Sequence, residues 1–238
     1  MVTVGHAQAE QQRIRVALDA GVSEPRVISW HYASPAVVLG RGQRPSPELL
    51  GRADRERVAV IGRASGGGAV MAGPWLLSLT LLLPAAHALA RMSLPAGYRV
   101  VGEACRLALD RFRVPTQLAS GAPSPAANRP HEDDELGWAC FAGVSHGELV
   151  AAGSRKLVGV SQVRRRDAVA VCIGVLLGRP DWETLVRVWL GRDDPRLVKQ
   201  LEDRTASCDQ LGSVEHAPSV DALAAALEAE LPAAGPAA

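Results

Sequence analysis

Cys140, in the run Trp138-Ala139-Cys140-Phe141-Ala142-Gly143, carries a thiol where an apolar segment gives way to a loop of small residues. Such a thiol is a candidate nucleophile once a nearby base or cation lowers its pKa, and His146 and Lys156 are the candidates close in sequence. Lys156 is the one charge entering the apolar and small run Leu157-Val158-Gly159-Val160-Ser161. An ammonium held on such a strand can neutralise an anion or stabilise the oxyanion formed during acyl transfer. The plainer reading is a solvated lysine at a strand start. Arg63-Ala64-Ser65-Gly66-Gly67-Gly68-Ala69-Val70 directly follows an expected strand, and its three successive glycines let backbone N–H groups converge on a phosphate or carboxylate with no Cβ in the way. It is neither a Walker loop, since Gly-Lys-Ser/Thr is missing, nor a dinucleotide fingerprint, since the glycine spacing differs; a flexible hairpin turn is the alternative. Gly143-Val144-Ser145-His146-Gly147 formally matches the G-x-S-x-G nucleophile elbow, but Glu148-Leu149-Val150 after it reads as a strand, where the elbow requires a helix. The six histidines show no metal-ligand spacing, and no bound metal is expected. Arg164-Arg165-Arg166 reads as a solvated turn.

The elements that must position these groups follow from patterning. His6 to Ala20 has a helical composition that Gly21 can stop. Val27 to Tyr32 and Ala36 to Leu39 read as a strand pair around the Ser34-Pro35 turn. Pro47 to Glu56 suits a helix and Val58 to Ile61 a strand, and the apolar run Trp75 to Leu83 suits a buried strand. From Tyr98, apolar residues recur at helical spacing through Val101, Cys105, Ala108 and Phe112, so Cys105 points at the core. Ser120 to Glu135 collects prolines and acidic residues and reads as a long mobile loop. Trp138 to Ala142, Glu148 to Ala152, Lys156 to Val163 and Ala168 to Leu177 form an antiparallel meander, and Asp181 to Leu190, Pro195 to Asp203 and Val220 to Leu231 are helical, with an Ala/Pro tail. Strands in both halves with helices at the start, middle and end predict one α+β domain.

Composition bounds the function. The 238 residues are 47% apolar and 21% charged, with only 4% aromatic side chains, so the core is aliphatic. A net charge of +1 offers no general attraction to nucleic acid or anionic membrane. The longest apolar run is far shorter than the roughly 20 residues of a membrane span, and the N-terminal stretch lacks a secretory apolar region, so a cytoplasmic protein is expected. The four cysteines contain no C-x-x-C pair and read as small buried hydrophobes rather than disulfides or zinc ligands.

Taken in order, Gly40-Arg41-Gly42-Gln43, Arg63 to Val70, Glu148-Leu149-Val150 and Lys156-Leu157-Val158-Gly159-Val160-Ser161-Gln162 resemble the biotin/lipoate protein ligase catalytic domain. In that family the pattern is a G-R-x-Q turn, an R-R-x-S/T-G-G-G-A-V loop and a strand carrying an essential lysine. The resemblance implies an α+β fold with a central mixed, largely antiparallel sheet flanked by helices, over residues 1–190, followed by a short helical C-terminal extension at 191–238. It implies that Ser65, Gly66, Gly67 and Gly68, with Arg63, Ala69 and Gly159, bind the acyl carboxylate or acyl-phosphate. Arg41 would help enclose the site, and Lys156 would contact the activated carbonyl. The substrate would be octanoate, lipoate or another medium-chain acid, delivered to a lysine of a lipoyl-type carrier domain, with an acyl-carrier protein as a possible donor.

Within the family, Ala139-Cys140-Phe141 followed by Glu-Leu-Val looks like the cysteine-dependent octanoyltransferase branch, which makes Cys140 the nucleophile and needs no tightly bound cofactor. An ATP-dependent ligase acting through an acyl-adenylate, with ATP and Mg²⁺, is the alternative. The chain departs from the family pattern at Met71-Ala72, where Tyr-His is usual, at Cys172-Ile173-Gly174, where a histidine is usual, and at Gly62-Arg63, where arginine is doubled. These departures define a third reading, a catalytically degenerate homologue that binds an acyl chain or a carrier domain.

Overall fold

The run Leu76-Leu77-Ser78-Leu79-Thr80-Leu81-Leu82-Leu83 is apolar at positions facing both ways, which suits a strand covered on both faces. The computed structural model, which describes residues 1–119, 135–212 and 218–232, places it as β6 (Leu76–Pro84), buried along almost its whole length. β6 pairs antiparallel on one side with β2 (Arg26–Tyr32) and on the other with β10 (Ala168–Leu176). Beyond β10 the sheet continues antiparallel through β9 (Arg155–Arg164), β8 (Leu149–Ala151) and β7 (Gln117–Leu118), so the expected meander of the second half is present from Leu149 onward. β1 (Thr3–Gly5) closes the opposite edge parallel to β2 and makes the seven-stranded sheet mixed.

A second sheet of three strands holds β3 (Ala36–Leu39) between β4 (Ala59–Gly62), parallel, and β5 (Val70–Ala72), antiparallel. The expected pairing of Val27–Tyr32 with Ala36–Leu39 is therefore wrong: the two strands lie in different sheets. All four residues of β3 are buried, so this strand needs a partner on each edge, and both edges of β2 are already taken by β1 and β6. The segment Trp138 to Ala142 is not a strand either. A single parallel bridge, Ala69 with Ala139, runs into a 3-10 turn at Cys140–Ala142.

Helices cover the sheets. α1 (Ala7–Ala20) buries Ala7, Glu10, Ile14, Ala17 and Leu18, a stripe at helical spacing. α2 (Pro47–Arg55) starts at Ser46, whose hydroxyl accepts the Leu49 N–H, with proline in the first turn. After the short α3 (Ala88–Arg91), α4 (Leu94–Asp110) buries Val101, Cys105 and Ala108 as its periodicity predicts. In the last third, α5 (Trp182–Leu190) is capped by Asp181 and stopped by Gly191 at φ +78, and α6 (Pro195–Arg204) is capped by Asp194. The short α7 (Cys208–Leu211) leads to α8 (Val220–Glu230), which packs on α4. The region after residue 190 also reaches the lysine strand: Thr205 bridges Lys156, and the Ala206 N–H donates to the Lys156 carbonyl at 2.9 Å. Most of the segment Ser120 to Glu135, read as a mobile loop, lies outside the described residues. Among the described residues no helix is long and apolar enough to cross a membrane.

Candidate active site

The glycine run is built by close backbone approach. A Cβ on Gly40 would fall 1.8 Å from the Gly67 carbonyl oxygen, a Cβ on Gly68 would fall 2.4 Å from the Trp138 carbonyl oxygen, and Gly67 has φ +94. Only glycine satisfies these three positions without displacing backbone. Arg63 then staples the loop from inside: its guanidinium donates to the carbonyls of Gly66 and Gly68 at 2.8 Å each and to Val38 at 3.3 Å. With the carbonyls turned onto Arg63, the N–H groups of Gly66, Gly67 and Gly68 donate to no group among the described residues. They are free to meet an anion.

Cys140 is fixed against this loop. Ala69 N–H donates to the Trp138 carbonyl and Cys140 N–H to the Ala69 carbonyl, at 2.7 and 2.9 Å. The Cys140 sulfur lies 3.4 Å from where a Cβ of Gly67 would stand, and Cys140 is only half-buried. Ser65, 2% exposed, shares a 2.9 Å hydrogen bond between its hydroxyl and that of Ser161 on β9, which ties the loop to the large sheet.

Lys156 is not the solvated lysine of a strand start: it is 2% exposed. Its ammonium donates to the carbonyls of Cys140 and Gly143 at 3.1 and 3.0 Å, forms a 2.8 Å ion pair with Glu148, and sits 5.3 Å from the centre of the Phe141 ring. Burial opposes its charge, but the facing Glu148 carboxylate and the nearby Cys140 outweigh that penalty and hold the lysine above its ordinary pKa. Glu148 is equally buried and also accepts the N–H groups of Ser145 at 2.7 Å and Val160 at 3.0 Å. The pair thus clamps the turn that carries Cys140. Sequence reasoning took Glu148 only as part of a motif; it stands just before β8 while Lys156 pairs with Val150, so strand register gave no signal of this ion pair. The run Gly143 to Gly147 forms the turn into β8, not an elbow leading to a helix.

A cavity of about 70 Å³ opens beside Cys140, floored by Gly159 and Gly174. Both glycines leave room for Phe141, whose ring would lie 3.5 and 3.6 Å from Cβ atoms placed there. Arg63, Cys140, Gly159 and Ser161 line the cavity; Arg41 and His146 do not. The Arg41 side chain is exposed, and its contribution to the loop is a backbone N–H donated to the Ser65 carbonyl at 2.9 Å. Cys172, also lining the cavity, has its thiol pushed up to about 11 by burial and by Glu10. Among the described residues no cluster of three metal-ligating side chains occurs.

Comparison with curated proteins finds no match. Among solved structures, a lipoate-protein ligase A bound with ATP superposes with a TM-score of 0.70 at 17% identity, covering 97% of this chain and 81% of the other. The bipartite lipoate protein ligase of Thermoplasma acidophilum, from a study of that ligase and its E2 lipoyl domain, gives 0.69 at 15% identity, covering 97% and 79%. A biotin protein ligase from Aquifex aeolicus in complex with biotin and ATP gives 0.51 at 13%, covering 96% and 66%. These likenesses establish the shared fold, and the family model of the lipoyl protein ligase A/B catalytic domain matches residues 5–231; the chain belongs to that family.

Proposed function

We propose that this protein transfers an octanoyl, lipoyl or other medium-chain acyl group to a lysine of a lipoyl-type carrier domain through a thioester on Cys140. The observation that supports this most directly is the abutment of the Cys140 thiol on a loop whose three glycine N–H groups have no acceptor among the described residues. The thiolate attacks the carbonyl of an acyl thioester, such as one on an acyl-carrier protein. The resulting oxyanion is met by the glycine N–H donors, and the carrier thiol leaves with the proton lost from Cys140. The amine of the target lysine then attacks the Cys140 thioester, forming the amide and returning the thiol. Lys156 acts here by gripping the Cys140 and Gly143 carbonyls, which fixes the nucleophile's turn.

An ATP-dependent ligase is the second reading, favoured by the superposed lipoate-protein ligase A bound with ATP. In that case ATP and Mg²⁺ enter as co-substrate and the glycine loop holds the activated carboxylate. The third reading, binding without turnover, rests on Met71-Ala72 and Cys172-Ile173-Gly174, where the family pattern carries histidines that this chain lacks. We place the activity in the cytoplasm, where acyl-carrier proteins and carrier domains would meet it.

Intact-protein mass spectrometry after incubation with octanoyl-carrier protein, and separately with octanoate and ATP, tests these readings. A hydroxylamine-labile acyl adduct absent in Cys140→Ala is the expected result. Acyl transfer to a carrier domain that needs ATP and survives Cys140→Ala would replace the transferase by the ligase. No adduct and no transfer from a folded protein would leave binding alone.

A further inference from the structure

The cavity changes character along its length. Register lines up Gly159, Gly174 and Ser78 across β9, β10 and β6, and Ser161, Cys172 and Thr80 in the neighbouring row. A ligand whose carboxyl end lies at Cys140 and the glycine loop therefore crosses two interstrand spacings, about 10 Å, to reach β6. Its middle is apolar, walled by Val38, Val70, Ala72 and Phe141. Its far end is polar. Glu10, on the buried stripe of α1 and 1% exposed, accepts the hydroxyls of Tyr32 and Ser78 at 2.6 Å each and the Gln11 amide at 3.2 Å. Among the described residues Thr80, 0% exposed, has no nitrogen or oxygen partner for its hydroxyl and stands beside the weakly bonding Cys172 thiol.

Accepting the reading of this cavity as an acyl pocket, we infer that the acid it selects ends in an uncharged hydrogen-bonding group such as a hydroxyl, which donates to Glu10 and accepts from Thr80. A pocket for a bare hydrocarbon end has no use for a buried hydroxyl without a nitrogen or oxygen partner, since it costs free energy unless it is hydrogen-bonded. The charge balance argues for a neutral group. Burial holds the Glu10 carboxyl above its ordinary pKa, and the same desolvation disfavours a charged ligand end of either sign in this cavity. Three donors already converge on Glu10, so it needs no ammonium as counter-charge.

Isothermal titration calorimetry of the full chain with octanoate and with 8-hydroxyoctanoate tests this, because binding is read without any transfer step. The hydroxylated acid is expected to bind about tenfold more tightly, the scale of one net hydrogen bond. Thr80→Val, which keeps the side-chain shape, is expected to remove that preference, read as the ratio of the two affinities measured on the same variant. Thr80→Ser, which keeps the hydroxyl, should retain the preference, and equal melting temperatures of the two variants would exclude misfolding as the cause. Octanoate binding as tightly as its hydroxylated analogue overturns the polar-end inference and leaves the acyl pocket standing. If neither acid binds, the acyl-pocket reading fails as well.

Discussion

Lys156 and Glu148 show how strongly a single pair can depend on its surroundings. Both are withdrawn from water, so removing one charge strands the other, at a cost of about 3 to 5 kcal/mol. Glu148→Gln is therefore expected to lower the unfolding free energy read from urea denaturation by that amount and to loosen the Cys140 turn, seen as faster alkylation of Cys140 by iodoacetamide. The pair also predicts a pH dependence. Because the folded lysine is held above its ordinary value of 10.5, its contribution is complete below that pH and is lost as pH rises through the higher folded value. Urea unfolding followed from neutral pH into this alkaline range should show the loss in the natural protein and not in Lys156→Met. The sequence marked Lys156 as unusual from one strand alone. It did not show that the lysine's three donors are occupied, because Cys140 and Gly143 come from a separate turn and Glu148 from the residue just before β8.

At the scale of elements, the glycine loop is a structure of backbone against backbone. Gly40 and Gly42 belong to the same G-R-x-Q turn, yet a Cβ on Gly40 meets the Gly67 carbonyl at 1.8 Å and one on Gly42 meets nothing within 4 Å. Gly40→Ala is expected to destabilise the fold by about 1 to 3 kcal/mol and to abolish acyl-adduct formation. Gly42→Ala should shift stability by no more than about 0.5 kcal/mol and leave adduct formation intact. Thermal denaturation together with the mass assay reads both. The run Ser65 to Gly68 was legible as an anion-binding candidate from composition, but composition did not show that Arg63 takes up the loop carbonyls. The misread strands have a related cause. Trp138 to Ala142 has strand-like residues, but Ala139 contributes only a bridge before Cys140 turns away, and local propensity yields to that tertiary contact.

For the whole molecule, the helices after residue 190 complete the core. Leu197, Leu201, Leu223 and Leu227 are all buried, and Thr205 with Ala206 pairs with the backbone of Lys156. Each buried leucine contributes about 1.5 to 3 kcal/mol, so losing four of them consumes most of the roughly 5 to 15 kcal/mol that a domain has in hand. A chain ending at Leu190 is expected to lack a cooperative thermal transition by circular dichroism, and a sharp transition in that fragment would overturn this view of the C-terminal helices.

The sequence by itself determined the elements whose patterning is strong and local: the apolar strand at Leu76 to Leu83, the helices from Ala7, Leu94, Trp182, Pro195 and Val220, and the three motifs that identify the family. Periodicity and glycine runs report the conformation of a segment and which of its faces is covered. Only the tertiary structure decided that β2 and β3 part into separate sheets, that Lys156 is buried against Glu148 and the Cys140 turn, and that Arg41 stays outside the cavity. It alone showed that Glu10 closes the cavity with Tyr32 and Ser78. These contacts join separate elements, with Glu10 and Ser78 lying 68 positions apart, and are set by strand order and register; no local pattern encodes which partner a buried charge will meet.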